Sequence, residues 1–178
     1  MSSATRFVSV LILAVALVLP AVSVKPAEAA GTPEVTVKVN DGVPLKDGTI
    51  KVSEDGRSLI LEDGTRLEVN LKNAEKIADA TAGEKATYPI SGSMAPSQGQ
   101  SWSLYRAAGS QSTFSSTWSP SSSQVLVGIA NSSGTLLWYN YYTGGCSVTA
   151  TFNTSGTYYW VMINYSSNTI TYSGSITY

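Results

Sequence analysis

The sequence contains no histidine among its 178 residues. This absence removes the commonest general base and the commonest metal ligand of proteins. It also excludes the Ser-His-Asp and Cys-His arrangements and the HExxH zinc motif. Neither a G-x-S-x-G nucleophile motif nor a glycine-rich phosphate loop is present. The sequence therefore predicts a protein that is not an enzyme and that uses no cofactor.

Cysteine is nearly absent as well, because Cys146 is the only one. A single cysteine excludes an internal disulfide framework. Cys146 begins the alternating run CSVTATF, which favours a buried position in a strand. The alternative is a free thiol that pairs between molecules.

Charged residues are scarce in the second half of the chain. Between residues 87 and 178 only Arg106 is charged, and all Trp and Tyr residues lie there. Residues 31–86 instead carry eight Lys or Arg, eleven Asp or Glu and no aromatic residue. This contrast predicts two modules, residues 30–86 and 87–178, joined near residues 80–88. The net charge of −1 gives no reason to expect a nucleic acid as a partner.

Long apolar runs are absent except near the N-terminus. Residues 7–22 (FVSVLILAVALVLPAV) form such a run, which follows Arg6 and precedes the small-residue site Ala27-Glu28-Ala29. This order is typical of a cleavable signal peptide, here over residues 1–29. The alternative is an uncleaved anchor, but the run is short of the roughly 20 residues that a spanning helix needs. We expect a secreted or cell-surface protein with no stable membrane insertion after cleavage.

The charged module carries the pattern of a small β-meander. Val35, Val37 and Val39 alternate with polar residues, as in a half-buried strand. Asp-Gly pairs, which favour tight turns, begin at Asp41, Asp47, Asp55 and Asp63 and separate strand-like runs at residues 49–53, 58–62 and 65–71. Asn73 is expected to cap a short helix over residues 74–80.

Two carboxylate pairs in this module are candidate metal ligands. Glu54-Asp55 and Glu62-Asp63 match neither the EF-hand spacing nor the glycine-rich calcium repeat. We interpret both pairs as solvated turn charges, and no metal site is predicted.

The second module has the pattern of an antiparallel β-sandwich or jelly roll. Strand-like runs rich in Val, Ile, Thr, Tyr and Trp alternate with Ser, Gly, Asn and Pro clusters. These runs cover residues 102–106, 112–118, 124–130, 135–142, 147–152, 157–165 and 169–178. Residues 158–163 (YYWVMI) are apolar on both faces, which indicates a central, covered strand. The predicted fold class is all-β.

A family resemblance lies in residues 125–178. The pieces NSSGTLL at 131–137, SGTYY at 155–159 and NYSS at 164–167 are similar to the later part of bacterial pre-peptidase C-terminal domains. In this family, the strand that precedes the first of these pieces carries acidic residues. Residues 125–129 (VLVGI) hold that place here and contain none. The resemblance implies a β-sandwich that serves as a non-catalytic accessory of secreted enzymes, and some such domains resemble carbohydrate- or collagen-binding modules.

A cluster of aromatic residues is the main candidate for binding. In the run WYNYY, Trp138, Asn140 and Tyr142 project to one face of a strand, and Tyr139 and Tyr141 project to the other. Both faces cannot easily be core in a small sheet, so we expect exposed Trp or Tyr that stack on sugar rings. Further candidates of the same kind are Trp102 and Trp118. The alternative for each of them is a place in the core.

The predicted function is a secreted, non-catalytic module that binds an extracellular polysaccharide or another surface polymer. One alternative is a self-assembling surface-layer or filament subunit, joined by strand addition and by Cys146. Another is an accessory or chaperone-like domain for a secreted hydrolase. Asn131, Asn153 and Asn164 each begin an N-x-Ser/Thr sequon, for which chance is the competing explanation.

Overall fold

A computed structural model describes residues 33–43, 51–60, 64, 66–69, 71–77 and 85–178. The predicted signal peptide, the Asp47-Gly48 turn and the Glu62-Asp63 pair lie outside these residues. The strands are β1 (Val35–Asp41), β2 (Lys51–Val52), β3 (Ser58–Ile60), β4 (Arg66–Glu68), β5 (Glu75–Lys76), β6 (Thr87–Met94), β7 (Gly99–Arg106), β8 (Gln111–Ser119), β9 (Gln124–Asn131), β10 (Leu136–Thr143), β11 (Gly145–Phe152), β12 (Gly156–Asn164) and β13 (Ile170–Thr177). In the described part of the chain, no helix has the length and apolarity to cross a membrane.

Two five-stranded sheets form the body of the fold. Sheet A has the order β1-β11-β8-β13-β6, and sheet B has the order β10-β9-β12-β7-β5. All pairs within them are antiparallel except β5 with β7. The seven strand-like runs predicted beyond residue 100 coincide with β7 to β13. The predicted all-β, antiparallel sandwich is confirmed.

The main core lies between the two sheets. Burial alternates residue by residue along β8 and β11, because successive side chains of a strand point to opposite faces. Phe114 of sheet A meets Trp160 of sheet B with ring centroids 5.4 Å apart and Trp102 of sheet B at 5.9 Å. The same cluster contains Cys146, which is buried as predicted.

A second apolar cluster covers the outer face of sheet B. The antiparallel meander β2-β3-β4 supplies the buried Leu59 and the half-buried Leu67, and these pack with Leu126, Val161 and Ile163 of sheet B. Strand β12 is therefore covered on both faces, as the apolar run YYWVMI predicts. The predicted β-meander is confirmed, and it forms a third layer on the sandwich.

The charged and the aromatic halves of the chain share both sheets. Strand β1 pairs with β11 from Val35, opposite Phe152, to Asp41, opposite Ser147. Contacts define residues Thr32–Tyr178 as one compact unit. The predicted modules, residues 30–86 and 87–178, thus both contribute strands to this unit.

The predicted helix over residues 74–80 is wrong where the chain is described. Glu75–Lys76 form β5, parallel to β7, and the Ile77 N–H donates to the Ser103 carbonyl at 2.9 Å. The Glu75 carboxylate accepts hydrogen bonds from Trp102 Nε1 at 3.1 Å and from the Tyr88 hydroxyl. The helix prediction rests on local propensity, whereas pairing with a distant strand decides the conformation here. Residues 78–80 lie outside the described part.

Candidate functional site

The aromatic run WYNYY lies on β10, at one edge of sheet B beside β9. Trp138 and Tyr142 belong to the core between the sheets, whereas Tyr139 and Tyr141 belong to the cluster on the outer face. The core between the sheets and the cluster on the outer face of sheet B thus each contain aromatic side chains from this run. Trp138, Tyr139 and Asn140 remain half-buried.

Four of the predicted stacking residues are core residues. Their exposed fractions are 1% for Trp102, 4% for Trp118, 3% for Tyr141 and 0% for Tyr142. The indole N–H of Trp118 donates to the Ser123 carbonyl at 2.9 Å, as a buried tryptophan requires. None of the four presents a ring to a ligand, so the prediction of an exposed row is corrected for them. The physical reason is that Trp102, Trp118 and Tyr142 fill the core between the two sheets. Tyr141 is instead buried in the cluster that the meander covers on the outer face of sheet B.

Tyr105 is the exposed aromatic residue that sequence reasoning missed. It is 57% exposed and lies on β7, opposite the exposed Thr157 of β12. A usable indication was present in the alternation of WSLYR, which places Tyr105 on the face opposite Trp102 and Leu104. A single exposed ring does not form a stacking row.

The outer face of sheet A is covered with hydroxyl groups. Four of its strands, β6, β8, β11 and β13, contain no charged residue. Their outward positions, which alternate with the core residues, are half-buried or exposed. We call this set the hydroxyl face: Thr87, Ser91, Ser93, Thr113, Ser115, Thr117, Ser119, Ser147, Thr149, Thr151, Thr171, Ser173, Ser175 and Thr177.

The hydroxyl face is ordered into rows across the strands. Strand register aligns Thr149, Thr113, Thr177 and Thr87 in one row over β11, β8, β13 and β6. Thr113 and Thr149 share a hydrogen bond of 2.8 Å between their hydroxyls, and Thr87 and Thr177 share one of 3.3 Å. Sheet geometry sets the repeat at about 4.8 Å between strands and about 6.7 Å along each strand. Lys38 of β1 continues this row at the edge.

The described residues contain no group of three or more Cys, Asp or Glu residues that could hold a metal ion. Asp55 instead stabilises its own turn, since its carboxylate accepts hydrogen bonds from the Ser53 hydroxyl and from the Arg57 N–H at 3.1 Å. These hydrogen bonds lower the pKa of Asp55. Its role matches the interpretation of a turn charge.

Cys146 is enclosed in the core beside Tyr142. Burial, together with the charge of Asp41, raises the pKa of the Cys146 thiol from 9.0 to about 12. Burial also raises the pKa of Tyr142, and the Cys146 charge adds to this effect. Because the thiolate is the reactive form, the structure favours the inert alternative for Cys146.

We expect Cys146 in the folded protein to resist a thiol reagent such as Ellman's reagent at pH 8. Its rate should be at least about 100-fold below that of the same chain in guanidinium, because the folded thiol is both inaccessible and protonated. The time course of absorbance in the two states measures this. Labelling of the folded protein at the unfolded rate would contradict the burial of Cys146.

The Asn side chains of the three sequons differ in the hydrogen bonds that they form. Asn164 is completely buried, and its amide donates to the carbonyls of Met94 and Asn168. The Asn153 amide donates to the Pro33 carbonyl at 2.6 Å and so holds the start of β1. The side-chain oxygen of Asn131 accepts hydrogen bonds from the N–H groups of Ser133 and Thr135 in its own turn. A glycan on folded Asn164 is therefore sterically excluded.

Comparison with known proteins finds similarity only among solved structures. No family model matches the chain, and no curated protein matches it. The crystal structure of the pre-peptidase C-terminal domain of collagenase from Bacillus anthracis is similar at a TM-score of 0.44 and 17% identity, over 58% of this chain and 94% of that one. This solved domain bears the name of the family that residues 125–178 resemble.

Proposed function

We propose that this chain is a non-catalytic binding module of an exported protein and that it binds an uncharged extracellular polysaccharide on the hydroxyl face. The observation that carries the proposal is that Ser and Thr side chains form rows across four strands, none of which contains a charged residue. The proposal keeps the ligand class expected from the sequence. It moves the binding surface from the Trp and Tyr residues to sheet A.

The chemistry of hydroxyl groups supports an uncharged, ordered ligand. Each Ser or Thr hydroxyl both donates and accepts a hydrogen bond, as sugar hydroxyls do. A hydrogen bond that replaces one to water contributes only about 0.5–1.5 kcal/mol. Affinity therefore requires many such bonds at once, which a periodic surface makes with a periodic ligand. Binding of this kind should respond little to salt, since charge pairs are not involved.

The edge strands favour binding over the filament alternative. An unpaired strand edge invites pairing with another copy unless a charge or a proline protects it. The outer strand of sheet A at one side is β6, which contains Pro89, and at the other side is β1, which carries the exposed Lys38. Both features oppose strand addition at sheet A.

A co-sedimentation assay with insoluble neutral polysaccharides, such as cellulose and chitin, tests the proposal. We expect wild-type protein to sediment with at least one of them, and Thr117→Lys and Ser173→Lys, made separately, to reduce its affinity at least about tenfold. Both positions are exposed, so the added charge faces the ligand and not the core.

Tyr105→Ala is the matched control, because this exposed residue lies on sheet B. It should sediment like the wild type. Failure of the wild type to bind any of the polysaccharides, or binding lost in Tyr105→Ala but kept in both lysine variants, would exclude the hydroxyl face as the site.

A further inference from the structure

A cleft of about 470 Å³ lies where the turn between β6 and β7 meets β4 and β12. Its volume falls in the range of roughly 300–1,000 Å³ that small-molecule sites occupy. Its lining includes Arg66, Ser93, Ser97, Gln98, Gln100, Val161 and Ile163. The cleft thus has both polar and apolar lining residues, and none of those named is aromatic.

The turn that forms one wall is held by the buried Asn164. Its side-chain amide donates to the Met94 carbonyl at 3.0 Å. Its backbone N–H donates to the Gln98 carbonyl, and its own carbonyl accepts from the Ser97 N–H, both at 2.9 Å. These bonds hold Ser97 in a left-handed conformation with φ of 62°. A non-glycine residue keeps this costly conformation only where its surroundings determine it, which occurs often at binding sites.

The polar groups of the cleft suit a ligand with several hydroxyls. Gln98 accepts a hydrogen bond from the Ala95 N–H through its side-chain oxygen at 3.0 Å, which orients its NH₂ group. The hydroxyl of Ser97 and the amide of Gln100 add groups that donate and accept. Val161 and Ile163 line the cleft as buried apolar side chains.

Arg66 adds a positive charge at the exposed side of the cleft. A guanidinium pairs with a carboxylate through two parallel hydrogen bonds, which gives both affinity and orientation. Among the residues that the structure describes, no Asp or Glu lines the cleft, and Asp55 interacts electrostatically with Arg66. Arg66 thus supplies the positive charge that an anionic group on the ligand requires.

We propose that this cleft binds a carboxylate-bearing sugar unit, a hexuronate, with its carboxylate on Arg66 and its hydroxyls on Ser97, Gln98 and Gln100. Of the lining residues, Ser93 also belongs to the hydroxyl face, but the proposed contacts Arg66, Ser97, Gln98 and Gln100 do not. Different substitutions therefore test the two proposals. The assignment concerns one acidic sugar residue rather than an extended neutral chain.

Isothermal titration of the purified protein with sodium glucuronate and with glucose tests this assignment at low salt. We expect glucuronate to bind at least about tenfold more tightly than glucose, and the preference to weaken as salt increases. Arg66→Gln should remove the preference, since it removes the charge and leaves an amide in its place. Arg57→Gln, a matched change of an exposed arginine outside the cleft lining, should keep it.

Gln98→Ala is a second variant within the cleft, and it should weaken both sugars while the preference for glucuronate remains. Thermal unfolding of each variant verifies that it is folded. Thr117→Lys should leave glucuronate binding unchanged, which separates this site from the hydroxyl face. Equal affinity for the two sugars, a preference that survives in Arg66→Gln, or tighter binding of a short peptide through its C-terminal carboxylate would overturn the proposal.

Discussion

Gly174→Ala should lower the free energy of unfolding by about 3 kcal/mol, the upper end of what overpacking normally costs. Gly174 lies in β13, between β8 and β6, where its neighbours come very close. A Cβ atom there would collide with the Ser115 carbonyl oxygen and would lie 2.7 Å from Ser116 Cα. Both contacts are with the backbone, so relief requires the central strands of sheet A to separate.

Urea unfolding followed by tryptophan fluorescence measures this effect, and Gly156→Ala is its control. A Cβ at Gly156 would meet only the ring of Tyr158, at 3.7 Å or more, which is ordinary contact. The control should change stability by no more than about 0.5 kcal/mol. Equal unfolding midpoints for the two variants would show that β8 and β13 are not this close.

Trp102→Ala should cost about 3–5 kcal/mol of stability, as expected when a large buried aromatic residue is truncated. Its ring packs against Phe114 at 5.9 Å and against Tyr172 at 6.1 Å between centroids. Its indole N–H also donates to Glu75, so truncation removes a link between β5 and the core.

Tyr105→Ala is the matched comparison for Trp102→Ala, since Tyr105 lies on the same strand but is exposed. It should change stability by no more than about 0.5 kcal/mol. Thermal or urea unfolding of both variants decides between the two interpretations of Trp102. If Trp102 were an exposed stacking residue, its removal would leave stability unchanged, and this outcome would contradict the fold described here.

The strands of the sandwich were predictable because their pattern is local. Alternating apolar residues and Ser, Gly or Asn clusters mark each strand and each turn, and residues 112–118 and 147–152 lie within β8 and β11. The Asp-Gly pairs likewise indicated the meander, where Gly56 has a positive φ of 69°. Periods and turns are properties of adjacent residues, so a sequence displays them.

The burial of the aromatic residues was not predictable in this way. Whether Tyr141 faces solvent depends on Leu59 and its neighbours, which join the same apolar cluster from a distant part of the chain. Glu75 shows the same limit, because its conformation follows from pairing beside Trp102. Contacts of this kind depend on how separate elements pack, and no local pattern encodes them.

The two candidate sites differ in the same way: one follows from a local pattern and the other from contacts between distant segments. The hydroxyl face follows from strand alternation, and the run STFSSTWS already contains part of it. The cleft joins Arg66, the turn before Gly99 and Val161, three segments that are far apart in the chain. Only the assembled fold brings these residues together.

The pairing of β1 with β11 has a consequence for how the protein folds. Val35 pairs with Phe152, which lies more than 100 residues later in the chain. Strand β1 can therefore join sheet A only after this distant strand has formed. Folds dominated by such distant pairings form slowly, because closing the long loops costs conformational entropy before the new contacts offset that cost. During that interval the alternating valines of β1 are unpaired and open to association with other chains. We therefore expect refolding yield to depend on protein concentration, with β1 as the segment most in need of protection.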